Sequence, residues 1–147
     1  VTNPLIIGSF LGLSMLVIGI KLPTFLEVTI KDVSKIATPL SLILLGASFS
    51  FSNVKKYLKE TIITVIGKLI IVPLVFLAIS YAVGFRGISL LSLMIMFAAP
   101  TAVSSFQMAK QMDGDADLAG QIVVFTSAFS IVTVFAWIFV LKQLALI

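Results

Sequence analysis

The sequence predicts an all-α membrane protein of five transmembrane helices, the fourth of them broken at Pro100. Three observations carry that expectation. Hydrophobic residues make up 60% of the chain and charged residues 11%, with a mean hydropathy of +1.23; a soluble domain is about one quarter charged. Apolar stretches of bilayer-crossing length alternate with short polar segments, and a helix needs about 20 such residues to cross. The acidic residues Glu27, Asp32, Glu60, Asp113, Asp115 and Asp117 all fall in connections or at span ends, as lipid demands of carboxylates.

Composition also excludes function classes. The chain has no cysteine and no histidine, so disulfides, thiolate metal sites, the commonest metal ligand and the usual neutral-pH base are all missing. Nothing calls for a metal or a cofactor. The net charge of +4 is spread over connecting segments and forms no tract of the kind that binds nucleic acid.

Taken in order, Asn3-Pro4 reads as an N-cap followed by proline at the first helical position, where a missing N–H costs nothing. The first span runs from Pro4 to about Leu22, and Pro23 stops it. Gly8 and Gly12 form a GxxxG pair that lets another helix approach, or are simply tolerated in a membrane helix. Residues 24–32, with Glu27, Lys31 and Asp32, read as an interfacial connection. The second span covers about 33–51, with Pro39 near its start and a small-residue run of Gly46, Ala47, Ser48 and Ser50 near its end. A loop from Ser52 to Glu60 then holds Lys55, Lys56 and Lys59, the densest positive cluster.

The third span covers about 61–83 and contains Pro73 and Lys68, the one charge well inside an apolar stretch. After a tight connection at Arg86 comes the fourth span, about 89–111. The fifth covers about 118–141, with Trp137 placed near an interface and Lys142 at the exit. The run Asp113-Gly114-Asp115-Ala116-Asp117 imitates the first half of a calcium loop but lacks its later glycine and glutamate, so helix capping before Leu118 is the reading kept.

Pro100 is the candidate site. It removes the hydrogen bond to Met96 and clashes with that carbonyl, so the helix breaks inside the bilayer. Broken backbone is tolerated at membrane depth only where protein or a wet cavity meets it. Thr101, Ala102, Ser104, Ser105 and Gln107 follow the break, small or polar, and a second half-helix beginning near Ala102 presents free N–H groups and a positive dipole end suited to an anion. Lys68 joins the candidates, either as counter-charge to an anion or as a donor to freed backbone; snorkelling to the nearby loop is its bland alternative. A Ser-Lys dyad of Ser104 or Ser105 with Lys68 or Lys110 is the enzymatic alternative, and no spacing singles one out.

The segment Ala98-Ala99-Pro100-Thr101-Ala102, followed by Phe106-Gln107-Met108-Ala109-Lys110-Gln111, an acidic turn and the span from Leu118, resembles the end of the auxin efflux carrier family. Ala37-Thr38-Pro39-Leu40-Ser41-Leu42-Ile43-Leu44-Leu45-Gly46 is similar to that family's first helix after its mid-protein connection. The resemblance implies one repeat of an inverted-repeat transporter: a ten-helix carrier built from two inverted five-helix repeats, with a broken helix of each crossing at the substrate site. Family members move small organic anions, including auxin in plants and dicarboxylates in bacteria. Carried over, Pro100 becomes the crossover proline, and Thr101 to Ser105 line the site. This chain then forms a single transmembrane repeat over residues 1–147, the second of the pair.

The first repeat is missing, so a lone copy is not expected to transport. Either the chain is a piece of a longer protein, which the missing initiator methionine favours, or two copies insert oppositely as a homodimer. The expected partners are therefore a small organic carboxylate, the lipid bilayer and a second five-helix repeat. Lysine and arginine are nearly balanced, four on the side of Val1 and five opposite, but the Lys55–Lys59 cluster places that side in the cytoplasm. The resemblance implies the same sidedness, and the expected location is the cytoplasmic membrane of a bacterium. A non-transporting assembly module that pairs through its Gly8/Gly12 face is the alternative function.

Overall fold

Asn3 opens the first helix as its sequence predicts: the side-chain oxygen accepts from the Leu5 amide at 2.9 Å, and Pro4 occupies the first helical position. The structure, a computed structural model, describes residues 3–147, with the backbone alone at 51–53. Val1, on the side assigned to the cytoplasm, lies outside the described residues. Helix α1, Pro4–Ile18, ends four residues before the expected Leu22. Gly19 terminates it, not Pro23: its φ of 74° turns the chain left-handed, and the Gly19 and Ile20 amides cap the Leu16 and Met15 carbonyls.

Pro23 instead precedes the next helix, its carbonyl accepting from Leu26 and Glu27. Helix α2, Thr24–Ser48, therefore absorbs the segment 24–32 that polarity marked as a connection. Polarity opposes burial in lipid, not helicity. Lys31–Glu27 at 2.6 Å and Lys35–Asp32 at 2.8 Å are neighbours on one helix face and support its exposed first half. Pro39 lies inside α2 without ending it.

A short helix α3, Phe51–Lys56, occupies most of the expected lysine-rich loop, and Tyr57 separates it from α4, Leu58–Val83. Within α4 the turn Gly67–Ile71 widens to π geometry just before Pro73. Helices α5, Gly87–Ala98, and α6, Val103–Gln111, are the two halves of the broken span, and α7, Ala116–Gln143, closes the chain. Among the described residues, 58–83, 87–111 and 116–143 are long and apolar enough to cross a membrane, while α1 is apolar but shorter. The chain is an all-α membrane protein.

Lipid is the solvent these elements are built for. Large apolar side chains such as Phe10, Leu16, Ile36, Ile88 and Ile131 are exposed throughout, a surface that water would not support. Hydroxyls on the helices turn back to their own backbone: Ser9 to Leu5, Ser14 to Phe10, Thr64 to Glu60, Ser80 to Phe76 and Ser92 to Ile88. That pairing satisfies them where water is excluded.

The packed part is α4 to α7. Helices α4 and α5 form an antiparallel hairpin across Gly84 and Arg86, and α7 lies against both. Leu77, Leu90, Met94, Ala98 and Leu141 make one buried cluster, with Leu91, Val134 and Trp137 packed on it. A second cluster of Leu45, Phe106 and Val123 joins α2 to α6 and α7. It closes tightly over Gly120, where a Cβ would sit 3.2 Å from Leu45 Cδ1 and 3.4 Å from Phe106 Cδ2. Helix α1 buries none of its residues, and a Cβ added at Gly8 or Gly12 would meet no other element within 4 Å among the described residues.

Candidate functional site

The break at Pro100 has a local cause on each side. A residue before proline is pushed out of the helical region, and Ala99 has φ −59° and ψ 140°. Helix α5 accordingly stops at Ala98 after twelve residues, a rise of about 18 Å, which is a little over half the thickness of a ~30 Å hydrocarbon core. Ala102 is again extended, with φ −68° and ψ 143°, and α6 begins at Val103. Four residues of non-helical chain, Ala99 to Ala102, thus interrupt the span near its middle.

Helix α7 secures this segment from behind. The Thr101 amide donates to Thr126 Oγ1 at 3.2 Å, and the same hydroxyl donates to the Ile122 carbonyl at 2.6 Å. Thr126 is wholly buried. One hydroxyl can give one hydrogen bond and accept others, so Thr126 pairs an amide that the break frees with its own helix.

The front of the break is open. Pro100, Ala102 and Ser104 are exposed, while Thr101, Ser105 and Gln107 are half-buried. The first amides of α6, at Val103 and Ser104, have no carbonyl one turn back to accept them. No acidic side chain stands in that turn, and Ala102 offers no side-chain cap. Within its first turn and cap, α6 therefore carries no negative group to offset the positive end of its dipole.

The expected residues divide. Ser105 spends its hydroxyl on the Ala102 carbonyl at 2.7 Å, and its amide donates to the same oxygen at 3.0 Å, so it shapes the first turn of α6. Gln107 faces α2, with its Nε2 donating to Ser41 Oγ, while the buried Ser41 hydroxyl donates to the Ala37 carbonyl. Lys68 sits half-buried in the π turn of α4, and no hydrogen bond or ion pair joins it to residues 100–107 among the described residues. The π turn is held through the neighbouring Leu69, which is fully buried, and its carbonyl accepts from Trp137 Nε1 at 3.0 Å. Trp137, placed near an interface by its residue type, is thus an internal cap.

Thr126, Ser41 and Gln121 are the residues that motif reading passes over. Gln121 is 2% exposed and accepts from the Thr61 hydroxyl at 3.5 Å, tying α7 to α4. Their one local signal is polarity within an apolar stretch, which names candidates without naming partners. At the end of the bundle, Asp115 caps α7 as its sequence predicts, accepting from the Leu118 amide at 2.9 Å.

Residues 1–138 match the family model described as membrane transport protein. Comparison with curated proteins and with solved structures gave no match.

Proposed function

The chain belongs to the membrane transport protein family, the auxin efflux carriers, and from that premise we propose that it carries a small organic anion by secondary transport. It supplies one half of a crossover site at the Pro100 break. The observation that carries this reading is the open start of α6 near the middle of the apolar span 87–111: Pro100, Ala102 and Ser104 exposed, with no acid in the first turn. Free amides at a positive dipole end attract a carboxylate, and discontinuous helices form such sites in inverted-repeat carriers.

In this reading Pro100, Thr101, Ala102 and Ser104 line the solute, and Ser105 and Gln107 hold the half-helix that presents them. Lys68 lies in the adjoining helix as a long-range positive charge. The uncovered face of the break is where a second broken helix fits, contributed by another five-helix repeat or by an oppositely inserted copy of this chain. The bilayer proposed is the cytoplasmic membrane of a bacterium, with the Lys55–Lys59 end inside.

The test is uptake of a labelled carboxylate by proteoliposomes holding the intact transporter. Pro100→Ala restores the helical donor to Met96 and closes the break, so uptake is expected to be abolished at normal expression. Unaltered uptake in that variant overturns the site assignment.

A further inference from the structure

A groove of about 430 Å³ runs along α4 and α7 on the membrane surface, away from the Pro100 break, lined by Leu58, Ile62, Ile66, Ile70, Phe125 and Phe129, with two threonines among them. Those threonines offer it no polar group. The Thr61 hydroxyl is turned to Gln121, and the Thr133 hydroxyl turns back to its own helix, with the Phe129 carbonyl at 3.1 Å and the Ser130 carbonyl at 3.3 Å as alternative acceptors. The surface is hydrocarbon throughout, which suits neither a carboxylate solute nor an ion.

Its length and its mouth identify the occupant. From Leu58 to Ile70 the helix rises about 18 Å, close to the depth of one leaflet of a ~30 Å core. Lys59 precedes Ile62, Ile66 and Ile70 by three, seven and eleven positions and so heads the same helical stripe. Helical side chains lean toward the N-terminus, which carries its ammonium toward the mouth. Lys55 stands four residues earlier, and both lysines are exposed. Glu60, two positions after Leu58, falls on the far face of α4. Asp115 and Asp117 act on Lys56, which also lies 4.6 Å over the Tyr57 ring. A leaflet-deep apolar groove whose α4 stripe is headed by Lys59, with Lys55 in the short helix just before it, matches an anionic amphiphile.

We propose that this groove holds one acyl chain of an anionic phospholipid, with its phosphate at Lys55 and Lys59. A basic residue at an anionic membrane surface contributes about 1 kcal/mol, a preference of about fivefold per lysine.

The experiment uses the purified full chain in detergent, titrated with phosphatidylglycerol or phosphatidylcholine of identical acyl chains and followed by native mass spectrometry. Phosphatidylglycerol is expected to bind more tightly by at least about fivefold, and Lys59→Gln to remove about that factor while Lys59→Arg retains it. Brominated acyl chains locate the site: an indole introduced by Ile66→Trp, or at the equally exposed Ile70 by Ile70→Trp, is quenched more by phosphatidylglycerol than by phosphatidylcholine. Equal binding of the two lipids overturns the headgroup assignment, as does a preference untouched by Lys59→Gln. Absence of quenching by either lipid shows that a protein segment or a second copy covers the groove, and overturns the proposal.

Discussion

The Trp137 indole donates to the Leu69 carbonyl at 3.0 Å, and Leu69 is the residue four positions before Pro73. Proline has no N–H, so this carbonyl loses its α-helical donor and would otherwise lie unpaired in a lipid-surrounded bundle. The defect and its remedy stand 68 residues apart on adjacent helices. Trp137→Phe keeps the ring and removes the donor, and a buried unpaired carbonyl costs about 1–3 kcal/mol. Pro73→Ala supplies the missing amide, so the cost of Trp137→Phe is expected to shrink in that background. Thermal unfolding of the four proteins in detergent checks it, and an undiminished penalty in the Pro73→Ala background contradicts the pairing.

The same logic governs Thr126, whose hydroxyl pairs the Thr101 amide and the Ile122 carbonyl. Thr126→Val preserves shape and deletes both bonds, leaving the Thr101 amide without its partner. The expected loss is about 1–3 kcal/mol of stability, accompanied by faster amide exchange at Thr101. Thr126→Ser retains the hydroxyl and is expected to exchange at the original rate. If Thr126→Val leaves the Thr101 amide equally protected, the segment is held by something else.

These two relationships mark the boundary of what a one-dimensional reading reaches. The break at Pro100, the Asn3 cap and the Asp115 cap are encoded within four residues of where they act, so residue type alone placed them. The partners of Leu69 and Thr101 are 68 and 25 residues away, and no local pattern distinguishes Trp137 or Thr126 from other residues of an apolar helix. The start of α2 was hidden for another reason: Glu27, Lys31, Asp32 and Lys35 exclude burial in lipid, yet their spacing is that of helical ion pairs. Gly19, not Pro23, ends α1 because a left-handed residue caps carbonyls actively while a proline only fails to donate. For Lys68, the sequence shows apolar neighbours on either side but not the rotation about the helix axis that decides what the ammonium meets.

Asp115 supplies a pH dependence at the end of α7. The Leu118 amide, then the Tyr57 hydroxyl, then the positive charge of Lys56 hold its carboxyl below the usual carboxylate value. Folding therefore favours the ionised form, and the stabilisation is present above the ordinary value and lost as pH falls through the depressed one. The protection of the Leu118 amide, taken relative to its intrinsic exchange rate at each pH, is expected to fall as acid protonates Asp115. Asp115→Asn keeps an oxygen to cap the helix but cannot titrate, so its exchange, corrected for intrinsic rates, is expected to lose this acid transition. A transition that persists in Asp115→Asn assigns it to another group.

The Gln107–Ser41 bond joins the second half of the broken span to α2, and no other side-chain hydrogen bond links these two helices among the described residues. It stands beside Leu45, Phe106 and Gly120, where apolar packing already holds α2 to α6 and α7. Its own contribution is separable by a double-mutant cycle of Gln107→Leu and Ser41→Ala. Hydrogen bonds between membrane helices average about 0.6 kcal/mol in such cycles and reach about 1.7. The upper part of that range is expected here, because Ser41 is buried and its hydroxyl also donates to the Ala37 carbonyl. Each single change leaves a polar group behind, whereas the pair removes both, so the double variant is expected to be less destabilised than the sum. Strict additivity would mean that the two side chains do not act as a unit, and that packing at Gly120 alone fixes α6 against α2.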